Sequence, residues 1–280
     1  MRLIPEHKTK TLILADSSLY PEVSKAIGSF ISFLKANGIS FQTLPFQSPT
    51  PWIRDWFYTF LCHDLNNNIV FCVNSMKESY ETRRMRKKID LFQRDVLVPY
   101  LRSRGSVEYR PGINLDGGSV SYNDRICLIS SKALVHNSIC GYEGIRNYLD
   151  SIISDISLHI MPYPGDFTGH IDGSFRFVEN TFLYDSIFDP FIDPSVYSDD
   201  FISIDLPEPP NINNAFGDYL GFILMEGKIL LPSFGIPQDN EILSLFKERF
   251  RDYTIIQIPS DICITLADYT ATPHCIVSQI

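Results

Sequence analysis

Positive charge is the first thing this sequence is short of. Lys and Arg number 24 against 33 Asp and Glu, a formal net charge of -9. A phosphate-binding surface needs clustered cations, so general nucleic-acid binding is disfavoured. Long apolar runs are also missing. No uncharged apolar stretch approaches the ~18 residues of a membrane span, and the opening MRLIPEHKTKTLILAD breaks its apolar residues with charge, so neither a span nor a secretory signal is expected. Paired cysteines are absent as well. Cys62, Cys72, Cys127, Cys140, Cys263 and Cys275 form no CxxC, which fits a reducing compartment better than a disulfide scaffold and leads us to expect a cytoplasmic protein. There is no GxSxG run to suggest a serine hydrolase. A zinc site built on His274 and Cys275 has no partners at ligand spacing.

What is present is apolar material for one large domain or two small ones, at 44% of 280 residues. Val23, Ile27, Phe30, Ile31 and Leu34 recur at helical spacing, with Ser17 or Ser18 as cap and Gly38 as stop. Tyr142, Ile145, Leu149, Ile152 and Ile153 repeat the pattern, as do Ile242, Leu245, Phe246 and Phe250 behind a cap at Asp239 or Asn240. A further helix around Ile89, Phe92, Val96 and Tyr100 should end or kink at Pro99. The basic run ETRRMRKK at 81–88 reads as a solvated helix start or loop. Between these lie the β-rich runs TLILAD, SFQTLP, NIVFCVN, RICLIS, TFLYDS, KILLPS and TIIQIP. Strands alternating with helices make the class α/β or α+β.

Three polar motifs, WIRDWFYTF with Asp55, NLDGGSVSY with Asp116 and GHIDGSFRF with His170, each precede an extended run and sit about 55 to 60 residues apart. Cys275, near the end, lies about twice that interval beyond His170, with a hairpin-like segment at 215–232 between them. This spacing suggests five degenerate strand-and-helix copies, each turning a polar loop toward a common centre. If the loops converge, they assemble a thiol (Cys275), an imidazole (His170) and three carboxylates (Asp55, Asp116, Asp172). A cysteine with a distant histidine and an acid to orient it is a nucleophilic set. Carboxylates beyond that need point to a cationic substrate. A guanidinium offers a planar fork of donors, which Asp55 and Asp172 can clamp with its carbon over the sulfur. His170 and Asp172, two apart in an extended run, share a face. Gly117 and Gly118 permit a tight turn and close backbone approach. Arg54 and His274 read as structural. His7, His63, His136 and His159 have no legible partner.

PWIRDWFYTF resembles the W-x-R-D motif, LDGGSV the E/D-G-G motif, GHIDGSFRFV the G-H-[IV]-D motif and PHCIVSQI the terminal H-C motif of the agmatine deiminase and bacterial (Porphyromonas-type) peptidylarginine deiminase family. That family lies within the guanidino-group-modifying superfamily, and the resemblance covers nearly the whole chain. It implies the pentein fold, a five-bladed α/β-propeller, so that 1–280 would form a single catalytic domain of five repeats. It implies Cys275 as nucleophile and His170 as general acid/base. Asp116, standing where most deiminases have Glu, would orient and charge-balance His170. Asp55 and Asp172 would hold the guanidinium, with Trp52 and Gly118 also at the substrate. The implied reaction turns a guanidino compound into the ureido product and ammonia through a covalent amidino-thioether, without metal or cofactor. Agmatine or an arginine derivative leads the substrate list, with peptidyl-arginine behind; no nucleic acid or membrane takes part, and homo-oligomerisation is compatible with the sequence. Two departures stand out. Thr168 occupies a position where agmatine-specific members commonly carry Asp. TATP replaces glycine-rich residues before the H-C pair, so Pro273 stiffens that loop and biases Thr272 toward extended backbone. An amidinotransferase passing the amidino group to an amine, and a non-catalytic binder of cationic ligands, are the alternatives.

Overall fold

Each β-rich run becomes a strand in the computed structural model, which describes residues 1–15, 20–75, 83–137, 141–163, 165, 168–211 and 213–280. The strands fall into five separate sheets, none of which closes on itself among the described residues. Three sheets begin with an antiparallel hairpin: Phe60–His63 with Ile69–Ser75, Val120–Tyr122 with Ile126–Ser130, and Ile223–Met225 with Lys228–Leu231. The second strand of each hairpin then takes a parallel neighbour, respectively Ser106–Asn114, Ser157–Met161 and Thr254–Gln257. A fourth sheet draws on both ends of the sequence. Val277–Gln279 lies antiparallel to Leu12–Leu14, which pairs in parallel with Phe41–Thr43.

Parallel neighbours cannot be joined by a tight turn, so helices fill these crossovers. They are Arg83–Phe92 continuing to Arg102, Ser131–His136 followed by Gly141–Ile152, Gln238–Arg249, and Pro21–Ala36. The fifth sheet, Phe175–Val178, Thr181–Asp185 and Phe201–Ile204, makes its last connection through the short turns Ser186–Phe188 and Pro194–Val196 instead. The fold is therefore mixed α/β, as the alternation of runs implies.

The chain separates into two compact units. One comprises Met1–Pro5, Arg54–Tyr184 and Phe188–Ser203; the other comprises Glu6–Ile53, Asp185–Ile187 and Ile204–Ile280. In the first, Phe60, Cys62, Val70 and Cys72 of one sheet pack with Cys127 and Ile129 of the next and with Ile145, Leu149 and Ile152 of the helix Gly141–Ile152. A second apolar cluster gathers Leu128, Met161, Ile171, Phe175, Phe177 and Phe182. In the second unit, the helix Pro21–Ala36 buries Val23, Ala26, Ile27, Phe30 and Leu34, close to the face that periodicity predicts.

Helix ends depart from expectation in instructive ways. Ser17 and Ser18 lie outside the described residues; Tyr20 occupies the cap position and Pro21 opens the helix, where a missing N–H costs nothing. Gly38 follows the last turn with φ +62°, as a stop should. The helix Gln238–Arg249 begins just ahead of Asp239, whose carboxylate accepts the N–H groups of Phe234, Gly235 and Ile236 in the preceding loop rather than capping the helix from outside. Pro99 does not end its helix, which runs to Arg102. Instead Gln93–Leu97 widens to a π-helical turn. A proline ring pushes against the carbonyl four residues back and supplies no N–H, and a wider turn accommodates both. Arg84, Lys87 and Lys88 are exposed on Arg83–Phe92, the solvated helix start that the basic run implies; 81 and 82 lie outside the described residues.

Phe175 is fully buried, with its ring centroid 4.6 Å from that of Phe188. Phe175→Ala is expected to remove about 3–5 kcal/mol of stability, read as a lower midpoint of urea unfolding.

Candidate active site

Asp116 sits on the turn after the strand Ser106–Asn114, 2% exposed, its Oδ1 accepting the Ser119 N–H at 2.8 Å. The two glycines that follow are required by what approaches them. A Cβ on Gly117 would stand 2.4 Å from the Arg54 carbonyl oxygen, and one on Gly118 would stand 2.3 Å from His170 Nδ1. Nothing larger than hydrogen fits either place. Freed of side chains, the turn lies against the His170 loop, and the Gly118 carbonyl accepts the N–H groups of Ile171 at 2.9 Å and Asp172 at 3.3 Å.

His170 then faces two carboxylates. Its Nε2 lies 3.4 Å from Asp116 Oδ1 and its Nδ1 lies 3.9 Å from Asp55 Oδ1. Asp55 comes from the short helix Ile53–Trp56. Thr168 Oγ1 accepts the His170 N–H at 3.2 Å, so the hydroxyl at this position serves the loop backbone. Asp172 is buried in the same unit. One donor atom each from Asp55, Asp116 and His170 falls within 4.8 Å of the others. A cation ligated by both carboxylates could take only one ring nitrogen, whereas each nitrogen here faces a different carboxylate. The arrangement suits an imidazole that holds and hands over a proton better than it suits a metal centre. Carboxylates set so deep also favour a cationic ligand over a neutral one.

His136, for which the sequence offers no partner, ends the helix Ser131–His136 in the same unit. Burial holds its imidazole below the ordinary histidine range; the Asp116 carboxylate opposes that, while Lys132, His170 and Arg86 reinforce it. A second imidazole thus stands within electrostatic reach of the Asp116–His170 pair. No local pattern announces it, because only the helix between the two strands brings it there.

Cys275 belongs to the second unit. Of the five described cysteines it alone is not buried. The others are core thiols: burial pushes Cys263 up to about 12 and Cys127 higher still, while the adjacent Cys62 and then burial raise Cys72. Cys275 lies in the short turn Pro273–Ile276 behind Thr272, whose φ of -110° and ψ of 170° are the extended backbone that Pro273 imposes. The Thr272 N–H donates to Sγ at 3.5 Å and Thr272 Oγ1 lies 3.6 Å from it. An N–H aimed at sulfur favours the thiolate over the thiol. A Cβ on Gly221 would come within 2.3 Å of the Thr272 Cβ, so that glycine lets Thr272 sit where it does. His274 Nε2 is 2.8 Å from Glu6 Oε1 and the ring is buried, the structural engagement that the sequence reading assigns to it. Trp52, in the same unit, is buried with its ring 5.8 Å from that of Tyr20.

Comparison with known proteins adds the following. The model of the Porphyromonas-type peptidyl-arginine deiminase family, the family that the motifs resemble, matches residues 195–280, which include His274 and Cys275. No curated protein matches. Among solved structures, the C. jejuni agmatine deiminase shares 16% identity over 99% of this chain and 95% of its own, with a TM-score of 0.77. The Enterococcus faecalis agmatine deiminase shares 13% over 99% and 95%, TM-score 0.73. An amidinotransferase of the saxitoxin biosynthetic pathway from Microseira wollei shares 11% over 100% and 97%, TM-score 0.68. At these identities the likeness establishes a common fold and nothing finer.

Two expectations follow from the geometry. Gly118→Ala forces the His170 ring or the turn to move and should cost about 1–3 kcal/mol in urea unfolding. An unfolded His136 takes up its proton near pH ~6.5 whereas the folded one resists, so on acidification the unfolded state binds protons first and stability falls as pH drops through that range. His136→Gln should make the fall between about pH 7 and about pH 5 shallower, in unfolding free energies measured across that window.

Proposed function

We propose that the chain is a member of the agmatine deiminase and Porphyromonas-type peptidylarginine deiminase family, acting as a cysteine-dependent guanidine hydrolase. The observation that carries this reading is His170 held between Asp116 and Asp55, all three deep in the fold. Cys275, the one described cysteine outside the core, supports it with the Thr272 N–H donating to its sulfur and the Thr272 hydroxyl beside it. On this reading the five sheets are five degenerate repeats, one propeller blade each, of a single catalytic domain.

The Cys275 thiolate attacks the guanidinium carbon, and a C–S bond forms as the C=N π pair moves onto nitrogen. His170 delivers a proton to one amino nitrogen of the tetrahedral adduct, the C–N bond breaks and ammonia leaves. The remaining amidino-thioether is attacked by water that His170 deprotonates; the C–S bond breaks, Cys275 regains its thiolate and the ureido product departs. Asp116 orients His170 and balances its charge. Asp55 and Asp172 accept the guanidinium N–H groups, with Trp52 and Gly118 at the edge of the same ligand. No step calls on a metal or cofactor. The small guanidino substrate is agmatine or an arginine derivative; a C. jejuni agmatine deiminase of similar fold has been solved with substrate bound. Asp116 in place of Glu, together with the fold shared with an amidinotransferase, favours a second reading in which an amine rather than water accepts the amidino group.

Incubation with a panel of guanidines is expected to yield ureido product and ammonia from at least one member, with turnover lost in Cys275→Ala. A new guanidino product formed only when an amine is added would move the assignment to amidino transfer. A haloacetamidine should label Cys275 selectively, as seen by mass spectrometry. Absence of both labelling and turnover would reduce the protein to a binder of cationic ligands.

A further inference from the structure

The helix Ser131–His136 touches both halves of the acid/base pair through its caps. At its start, Ser130 is fully buried; its hydroxyl accepts the Lys132 N–H at 3.2 Å and donates to the Gly169 carbonyl at 2.6 Å, one residue before His170. Gly169 has φ +71°, and a Cβ there would stand 2.0 Å from Lys132 Cδ, so the first turn of the helix also packs on that loop. At its end, Asn137 is buried and clasps Asn114, two residues before Asp116. The Asn114 N–H donates to Asn137 Oδ1 at 2.9 Å, and Asn137 Nδ2 donates to the Asn114 carbonyl at 2.6 Å and to the Ala133 carbonyl at 2.8 Å. Asn114 Nδ2 returns a bond to the His136 carbonyl at 3.2 Å. One short rigid element is thus bonded at one end to the backbone that carries His170 and at the other to the backbone that carries Asp116.

We infer that Ser130 and Asn137 are positioning residues: the helix between them acts as a strut that sets the 3.4 Å approach of His170 to Asp116. This rests on the guanidine hydrolase reading for its kinetic consequence, but not for its structural one. Both side chains are buried, and each acts through the loop or strand it holds. Satisfied networks of this kind fix a geometry as well as stabilise it, and a displacement of about 1 Å at a proton-transfer pair is enough to cost about 100-fold in rate.

The test uses the full chain with Ser130→Ala, Asn137→Ala and the milder Asn114→Ala, which removes only the bond to the His136 carbonyl. His170 is followed by NMR of ring-labelled histidine, its signal assigned by loss in His170→Gln, with Asp116→Asn as reference. A neighbouring carboxylate favours the imidazolium, so moving Asp116 away should shift the His170 midpoint to lower pH, in the direction Asp116→Asn shifts it, while the Asp55 and His136 neighbours remain. Turnover of the best guanidine should fall about 100-fold in kcat for Ser130→Ala and Asn137→Ala, with KM changed less than about threefold and a displaced pH profile. A His170 titration that matches wild type in the folded variants would overturn the inference, whether or not any guanidine is turned over. So would loss of a cooperative unfolding transition in all three variants, since the contacts would then hold the unit together rather than set one distance. Failure of the wild type on every guanidine with the His170 shift intact would remove the proposed reaction and leave the strut standing.

Discussion

The His170 ring lies so close to the Gly118 backbone that no side chain can separate them, and much of the first unit is arranged around that contact. It lets the Asp116 turn lie flat on the histidine loop, and the Gly118 carbonyl then binds the backbone leading to Asp172. It brings a buried carboxylate to one face of the imidazole while the Ile53–Trp56 helix brings another. Carboxylates at this depth are costly unless their oxygens are engaged, and the Ser119 N–H on Asp116 belongs to the same turn that makes the contact. Geometry and charge are settled by one local decision, two consecutive glycines.

The cysteines divide along a similar line. Four of the five described are packed among apolar side chains, where the charged form is penalised and the sulfur behaves as a small hydrophobe. Cys275 is set apart by a proline-led turn that leaves it half-buried and points a backbone N–H at it. A glycine-rich loop would reach such a turn by backbone freedom; here Pro273 fixes the backbone and Gly221 makes room behind Thr272. The stiffness comes from within the turn, and the space it needs comes from a glycine in another connection, just ahead of Ile223–Met225.

Much of this was legible from residue order. The β-rich runs declared themselves by composition, and the helical faces of Pro21–Ala36 and Gly141–Ile152 by period, because burial against a sheet imposes that period directly. The polar motifs fell just ahead of opening strands, as their spacing suggested. Other features lay beyond reach. Asp239 looked like a cap and turned out to collect amides from the loop before it, a choice made by tertiary folding. The π turn before Pro99 answers a clash whose resolution depends on what the helix packs against. His136 and the Asn114–Asn137 clasp are invisible in one dimension, since a side-chain amide in a helix-ending position looks the same whether it meets solvent or another strand.

The sheet that pairs Val277–Gln279 with Leu12–Leu14 joins residues from opposite ends of the sequence. During synthesis Leu12–Leu14 and Phe41–Thr43 emerge early and can pair with each other, but one side of Leu12–Leu14 has no strand to meet until residue 279 has left the ribosome. Contacts of such sequence separation form slowly, and a waiting strand edge is a template for other chains. The strand that covers this edge follows directly on the turn bearing Cys275, so the edge stays open as a template until that turn has been set in place.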